Sequence, residues 1–349
     1  MDYEEAQDQA ENDAVALSLP AETAEPQSPA GDPQTTTRQK RSVKVLKFGG
    51  SSLAGAGRIL RAARIAQRAA AEHRIAVVVS ALRGVTDRLV SLSDFLSKGA
   101  GGVAFAEAGL LIHLHHEIAR ELNLKSRDAV RLHTETESVG GELFAALRAH
   151  RHVSGGGGEA FDRIVSFGER FSCRVFAAAL RKLGIGAAPV DAPDFLVTSA
   201  DFGAAQPLLE ATAARAKEIF PALLREGVVP VVTGFTGATH DGRITTLGRN
   251  SSDYSGAIVA HVLGAAELVI WTDVDGMYTT NPRHAPAARL LTALSYEQAQ
   301  ALAEAGAKVL HPGVIPLAAQ TQMKISICNA LNPRAPGTRI GPRSKAERS

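Results

Sequence analysis

Cysteine is scarce in this chain: only Cys173 and Cys328 occur among 349 residues. Two thiols allow at most one bridge, and nothing in their spacing matches a zinc pattern. The expectation is a pair of buried thiols in a reducing cytoplasm. Long apolar runs are also missing. None reaches the ~18–20 residues that span a bilayer. The N-terminus is acidic and lacks a basic stretch followed by an apolar one, which argues against a secretory signal. Net charge is only +2, so the total gives no footprint for nucleic acid. Neither nucleic acid nor membrane is expected as a partner. No internal repeat is visible.

What remains is an ordinary globular composition, 45% hydrophobic and 21% charged. Charge is unevenly placed. Residues 1–42 carry nine acids against three bases, a net of −6; with +2 for the whole chain, the remainder is +8. A mildly basic body suits an anionic substrate and equally suits plain solubility. Residues 1–42 have almost no large apolar residue after Leu19 and read as a disordered acidic tail. Residues 43–341 read as one catalytic domain, and 342–349 as a frayed end. Val43–Phe48 and Ile75–Ser80 are strand-like, and Ala56–Glu72 and Val85–Leu96 have helical spacing. This strand–helix alternation predicts a mainly parallel sheet covered by helices on both faces, a three-layer αβα sandwich. Residues 103–150 read as helical without strands, SGGGG at 154–158 as a flexible joint, and Phe161–Leu183 as one helix.

Four segments carry the chemistry. In KFGGSS, 47–52, a strand delivers Lys47 to Gly49, Gly50, Ser51 and Ser52. Two glycines let backbone approach a ligand, and N–H groups at a turn opening onto a helix bind anions. The Lys precedes the glycines, so this is not the Walker arrangement. Alone, the motif fits a plain strand-to-helix turn equally well. The second segment, TTLGRNSSDYSG at 245–256, places Arg249, Ser252 and Asp253 before a helix. Arg249 can grip a carboxylate with two parallel bonds, while Asp253 can equally be a helix cap. The third, WTDVDGMYTTNPR at 271–283, is a loop after a buried strand, where open α/β sheets bind ligands. It holds Thr272, Asp273, Tyr278 and Arg283. The fourth, AGAKVLHP at 305–312, holds Lys308 near a helix end. Thr86 follows a strand in SALRGVTD, and Glu169 opens a helix in SFGER. His113, His115 and His116 cluster, but no partner in the sequence completes a metal site, so they read as helix surface.

Taken together and in this order, these segments resemble the amino-acid kinase superfamily, and specifically aspartokinases, over roughly residues 43–341. Asn250 in GRNSSDYS is similar to the kinase portion of bifunctional aspartokinase–homoserine dehydrogenases. The resemblance implies transfer of the ATP γ-phosphate to the β-carboxylate of L-aspartate, in biosynthesis of lysine, threonine and methionine, with Mg-ATP as co-substrate and a cytoplasmic location. It implies that Lys47 and Asp253 are catalytic, the first on the phosphates and the second orienting it. Thr86, Glu169, Arg249 and Ser252 would bind aspartate, with Arg249 on its α-carboxylate and Glu169 on its α-amino group. Lys47, Gly49, Gly50, Ser51, Ser52, Thr272, Asp273, Tyr278, Arg283 and Lys308 would line the nucleotide site. No protein-held metal is expected, since Mg²⁺ is held largely by phosphate oxygens and water. A homodimer fits the family. Two positions depart from it: Ser251 stands where a Gly is usual, and Asn281 where an Asp is usual. No regulatory ACT segment or dehydrogenase segment follows, so the expectation is an enzyme without ACT-mediated feedback. A kinase for a related acid and a non-catalytic ligand-binding subunit are the competing readings.

Overall fold

The computed structural model describes residues 42–150, 158–280, 288–304 and 310–342. The expected acidic tail and frayed end, and nearly all of the SGGGG joint, lie outside these residues. The chain opens β1 (Val43–Phe48), α1 (Ala56–Glu72), β2 (Arg74–Val79), α2 (Val85–Ser97), with a 3-10 turn at Gly50–Leu53 between β1 and α1. Helices α3 (Gly101–Glu121) and α4 (Ser126–His150) follow, then α5 (Glu159–Val165) and α6 (Phe167–Lys182). The second half runs β3 (Ala187–Val190), α7 (Leu209–Arg225), β4 (Val229–Thr233), β5 (Thr236–Ala238), β6 (Ile244–Thr246), α8 (Ser252–Val262) and β7 (Glu267–Thr272). It closes with β8 (Met277–Tyr278), β9 (Leu290–Leu291), β10 (Ala293–Ser295), α9 (Tyr296–Glu304), α10 (Val314–Thr321), β11 (Lys324–Asn329) and β12 (Thr338–Gly341).

Eight strands form one sheet in the order β10-β12-β11-β7-β1-β2-β4-β3. Every neighbouring pair is parallel except β11 with β12. Successive strand residues point to opposite faces, and each face meets its own core. Leu46, Phe48, Val77, Val79, Val231 and Val269 join a cluster with α1–α6. Val45, Ala76, Val78, Val232, Leu268 and Ile270 join another with α7–α10. A continuous apolar run such as Ile75–Val79 is therefore what a strand buried on both sides requires, and the three-layer αβα arrangement follows.

Three sequence expectations need correction. The single helix expected over 161–183 is two, divided at Ser166, whose hydroxyl donates to the Arg163 carbonyl at 2.7 Å. Such a side-chain bond to the preceding turn bends a helix. The histidines are not all on the surface. His115 is fully buried, stacks on Phe171 at 4.5 Å, and donates Nδ1–H to the Leu111 carbonyl at 2.7 Å. Burial pushes its pKa down to about 4. Both cysteines are free, as expected, but only Cys173 is buried and Cys328 is half-buried. Among the described residues, no helix is long and apolar enough to cross a membrane.

Candidate active site

The strand register brings the chemistry to one edge. Phe48 at the end of β1 lies opposite both Val79 of β2 and Trp271 of β7, and Val79 lies opposite Thr233 of β4. All four strands are parallel, so residues 49–52, 80–86, 234–235 and 273–278 leave the sheet at its carboxyl end. That crevice is where such sheets place ligands.

The turn after β1 is tight. Gly49 N–H donates to the Trp271 carbonyl at 3.3 Å, and the Ser52 hydroxyl donates to the same oxygen at 3.4 Å. A Cβ on Gly50 would stand 2.9 Å from the Ala81 carbonyl oxygen, so only glycine lets this turn lie against the strand end of β2. The same segment is approached from below by α6, where a Cβ on Gly168 would stand 2.8 Å from Ala81 Cβ. On the far side, a Cβ on Gly234 would meet Ser252 Cβ at 2.8 Å and the Val79 carbonyl oxygen at 3.0 Å. Glycines thus bring β1, β2, β4, α6 and α8 within contact of one another.

Lys47 is 8% exposed, and its Nζ lies 2.7 Å from Asp253 Oδ1 in the first turn of α8. The ammonium is held at the end of the parallel sheet by a carboxylate on the helix behind it. Glu169 is 3% exposed. Its Oε1 accepts the Ala81 N–H at 3.0 Å, while Oε2 has no hydrogen-bond partner among the described residues. Burial drives its pKa up to about 8, with the Ala81 hydrogen bond and the nearby Lys47 charge pulling the other way. A buried carboxyl with one oxygen satisfied and one open is prepared for a cationic hydrogen-bond donor. Serine 252 is buried beside Gly234.

Arg249 is placed differently. It is exposed, and Nη2 pairs with Asp87 Oδ1 at 2.9 Å, with side-chain exposures of 78% and 73%. Asp87 is the neighbour of Thr86, at the start of α2, so this contact brings the Thr86 and Arg249 turns together across the mouth. An exposed pair of this kind is weak, and the guanidinium is free to exchange partners. Ser251, the departure from the family pattern, has φ −85°, which any residue adopts. Its side chain is fully buried, with no partner for Oγ among the described residues. Its carbonyl accepts the Ser255 N–H at 2.8 Å, and Ser255 Oγ in turn accepts the Phe235 N–H at 2.8 Å.

On the other flank, the Thr272 hydroxyl lies 3.3 Å from Asp273 Oδ1, and Tyr278 is half-buried in the two-residue strand β8. Asp275 accepts the Asn329 side-chain amide at 2.8 Å, fixing the loop to β11. Arg283 and Lys308, expected at the nucleotide, and Asn281 lie outside the described residues.

Sequence reasoning missed several supports. Asp162 is buried and accepts the Gly203 N–H, the Thr246 N–H and the Thr246 hydroxyl at 2.7–2.9 Å. Asp191 binds Arg170 Nε at 3.1 Å and Arg174 Nη1 at 2.8 Å, anchoring the helix that carries Glu169. Burial works to raise Asp191, but Arg174 and Arg170 overcome it and hold the carboxyl below its ordinary range. Arg170 within SFGER was the only sequence cue to that clamp.

The comparisons with known proteins agree with this geometry. A family model described as the amino acid kinase family matches residues 42–329. The chain is 34% identical to lysine-sensitive aspartokinase 3 of Escherichia coli over 300 residues, covering 85% of this chain and 64% of that protein. It is 32% identical to the chloroplastic aspartokinase 1 of Arabidopsis thaliana, covering 88% of this chain and 53% of that one. The bifunctional aspartokinase/homoserine dehydrogenase of Haemophilus influenzae is 33% identical, with 87% and 37% covered. The chain therefore spans between about a third and just under two thirds of these relatives. Among solved structures, E. coli aspartokinase III in complex with aspartate and ADP superposes with a TM-score of 0.78 at 32% identity, covering 87% of this chain and 65% of that one.

Proposed function

Because the chain belongs to the amino acid kinase family, we propose that it is an aspartate kinase, making 4-phospho-L-aspartate and ADP from L-aspartate and Mg-ATP for aspartate-family amino-acid biosynthesis. The observation that carries this reading is the pairing of two groups at one strand edge. One is the ammonium of Lys47 fixed by Asp253, and the other is the neutral, half-satisfied carboxyl of Glu169. The solved complex of E. coli aspartokinase III with aspartate and ADP supports the choice of both substrates.

The division of labour follows from the chemistry. The β-carboxylate of aspartate is ionised at pH 7, so attack on the γ-phosphorus needs no general base. Rate enhancement then rests on alignment and on charge stabilisation. Lys47 meets the charge that spreads over the transferring phosphoryl group, and Asp253 keeps the Nζ in place. The turn offers the backbone N–H groups of Gly50 and Ser51 to phosphate, since those of Gly49 and Ser52 are held by the Trp271 and Gly49 carbonyls. Glu169 Oε2 receives the substrate ammonium. Arg249 leaves Asp87 for the α-carboxylate, with Thr86 and Ser252 beside it. Thr272, Asp273 and Tyr278 line the nucleotide flank, with Arg283 and Lys308 assigned there by sequence. Asp253 is already paired to Lys47, and Asp273 is exposed at the other flank. No cage of acids surrounds the turn among the described residues, which fits a Mg²⁺ that arrives with the nucleotide.

The test is ADP release with Mg-ATP and L-aspartate, with hydroxylamine trapping the acyl phosphate. An aspartate-dependent hydroxamate is expected. ATP binding without that hydroxamate overturns the assignment and favours a related acid, for which the buried Ser251 beside the Arg249 turn is the structural reason.

A further inference from the structure

Helices α3 and α4 form an antiparallel hairpin turning at Asn123, which has φ +46°. The helices are pressed together. A Cβ on Gly140 of α4 would stand 2.7 Å from Ile112 Cδ1 of α3. One turn along from this contact, His116 of α3 faces His133 and Glu137 of α4. His116 Nε2 lies 2.6 Å from Glu137 Oε1, and the two imidazole rings are 4.8 Å apart at a tilt of 41°. The candidate donor atoms of all three residues lie within 4.8 Å of one another. His133 and Glu137 are four residues apart and so share a helix face. None of the three belongs to the turns around Lys47.

We propose that His116, His133 and Glu137 bind a divalent transition-metal ion of the zinc type, joining α3 to α4. Two imidazoles and one carboxylate select such ions over Mg²⁺ and Ca²⁺, which prefer all-oxygen shells. Donors on bonds of about 2.0–2.1 Å around a tetrahedral ion stand roughly 3.3 Å apart. The His116–Glu137 contact, at 2.6 Å, opens slightly to admit it. Glu137 and His133 are exposed and His116 is half-buried, so the side chains can adjust and water completes the shell. The Ile112–Gly140 contact holds the backbones at the required separation.

The test uses the tag-free, full-length chain freed of metal with a chelator. Zn²⁺ is titrated in competition with a chromophoric chelator, and thermal unfolding is followed with Zn²⁺ and with Mg²⁺. The expected result is one equivalent of Zn²⁺ and a rise in Tm of roughly 5 °C near saturation, with no such rise from Mg²⁺. H133A and E137Q should lose the Tm rise and weaken binding at least about tenfold. H113A, altering the exposed histidine outside the group, should keep both. Co²⁺ should give visible ligand-field bands in the unaltered chain and not in H133A. Equal Zn²⁺ binding and equal Tm shifts in the unaltered chain, H133A and E137Q would overturn the proposal, since the ion would then be held by scattered surface histidines.

Discussion

At the scale of single residues, Lys47 and Glu169, both buried at the site, make opposite demands. Lys47 and Asp253 neutralise each other as an ion pair at 2.7 Å, so removing one strands the other. K47A should fold with a loss of roughly 3 kcal/mol, the lower end of what breaking a buried pair costs. It should also lower kcat at least about a hundredfold. Denaturant melts and hydroxamate assays on the same preparation check both, and retained turnover would refute the role. Glu169 is the reverse case, a carboxyl that the fold keeps protonated up to about pH 8. The unfolded chain gives up that proton at the ordinary, lower pKa. Between those two values the folded state binds more protons, so stability falls as pH rises toward 8. E169Q should lack that decline and raise the KM for aspartate. Melts from pH 5 to pH 8 and steady-state kinetics check the two halves; a decline unchanged in E169Q would assign it to another group. Aspartate binding near pH 7 should also eject a proton, readable by calorimetry in buffers of different ionisation heat. Lys47 and Glu169 were legible from sequence because they sit in distinctive motifs. The raised pKa of Glu169 was not legible, since it depends on burial in the folded chain, against segments as far away in sequence as Ala81.

At the scale of elements, what could be read was decided by length. Strands of six residues such as β1 and β11 have enough alternation or apolar continuity to be recognised. The hairpin β5–β6 and the two-residue strands β8 and β9 do not, and they exist only because partners across the chain supply their hydrogen bonds. The bend at Ser166 was hidden for a related reason. Ser is an ordinary helix residue until its hydroxyl bonds the preceding turn. The α8 junction gives a prediction at this scale. G234A puts a methyl group 2.8 Å from Ser252 Cβ and 3.0 Å from the Val79 carbonyl. A cost of about 1–3 kcal/mol is expected from the overpacking, with a rise in KM for aspartate as Ser252 shifts. An unchanged melting curve would show that α8 relaxes away freely.

At the scale of the whole molecule, the sheet separates two cores and the site sits at the carboxyl end of its strands. The parallel sandwich was readable from the alternation of strand and helix because a strand covered on both faces must be apolar throughout. The strand order was not, since neighbours such as β1 and β7 are more than two hundred residues apart. One core supports the site directly: Phe176 of α6 packs at a tilt of 31° against Phe48, with ring centres 5.3 Å apart, and Phe48 stacks on Trp271 at 6.2 Å. F176A should cost about 3–5 kcal/mol and raise the KM for ATP, because Phe48 lies between Lys47 and the phosphate turn. Chemical denaturation with parallel nucleotide titration checks this; lost stability with unchanged ATP affinity would uncouple the core from the turn. At Gly50, Gly168 and Gly234 the elements around the site approach so closely that a Cβ would stand 2.8–2.9 Å from its neighbour. In a saturation mutagenesis screen scored by growth or turnover, those three should tolerate substitution as poorly as Lys47. Catalytic importance inferred from intolerance alone would then count them among the reacting groups, whereas their contribution is the absence of a side chain.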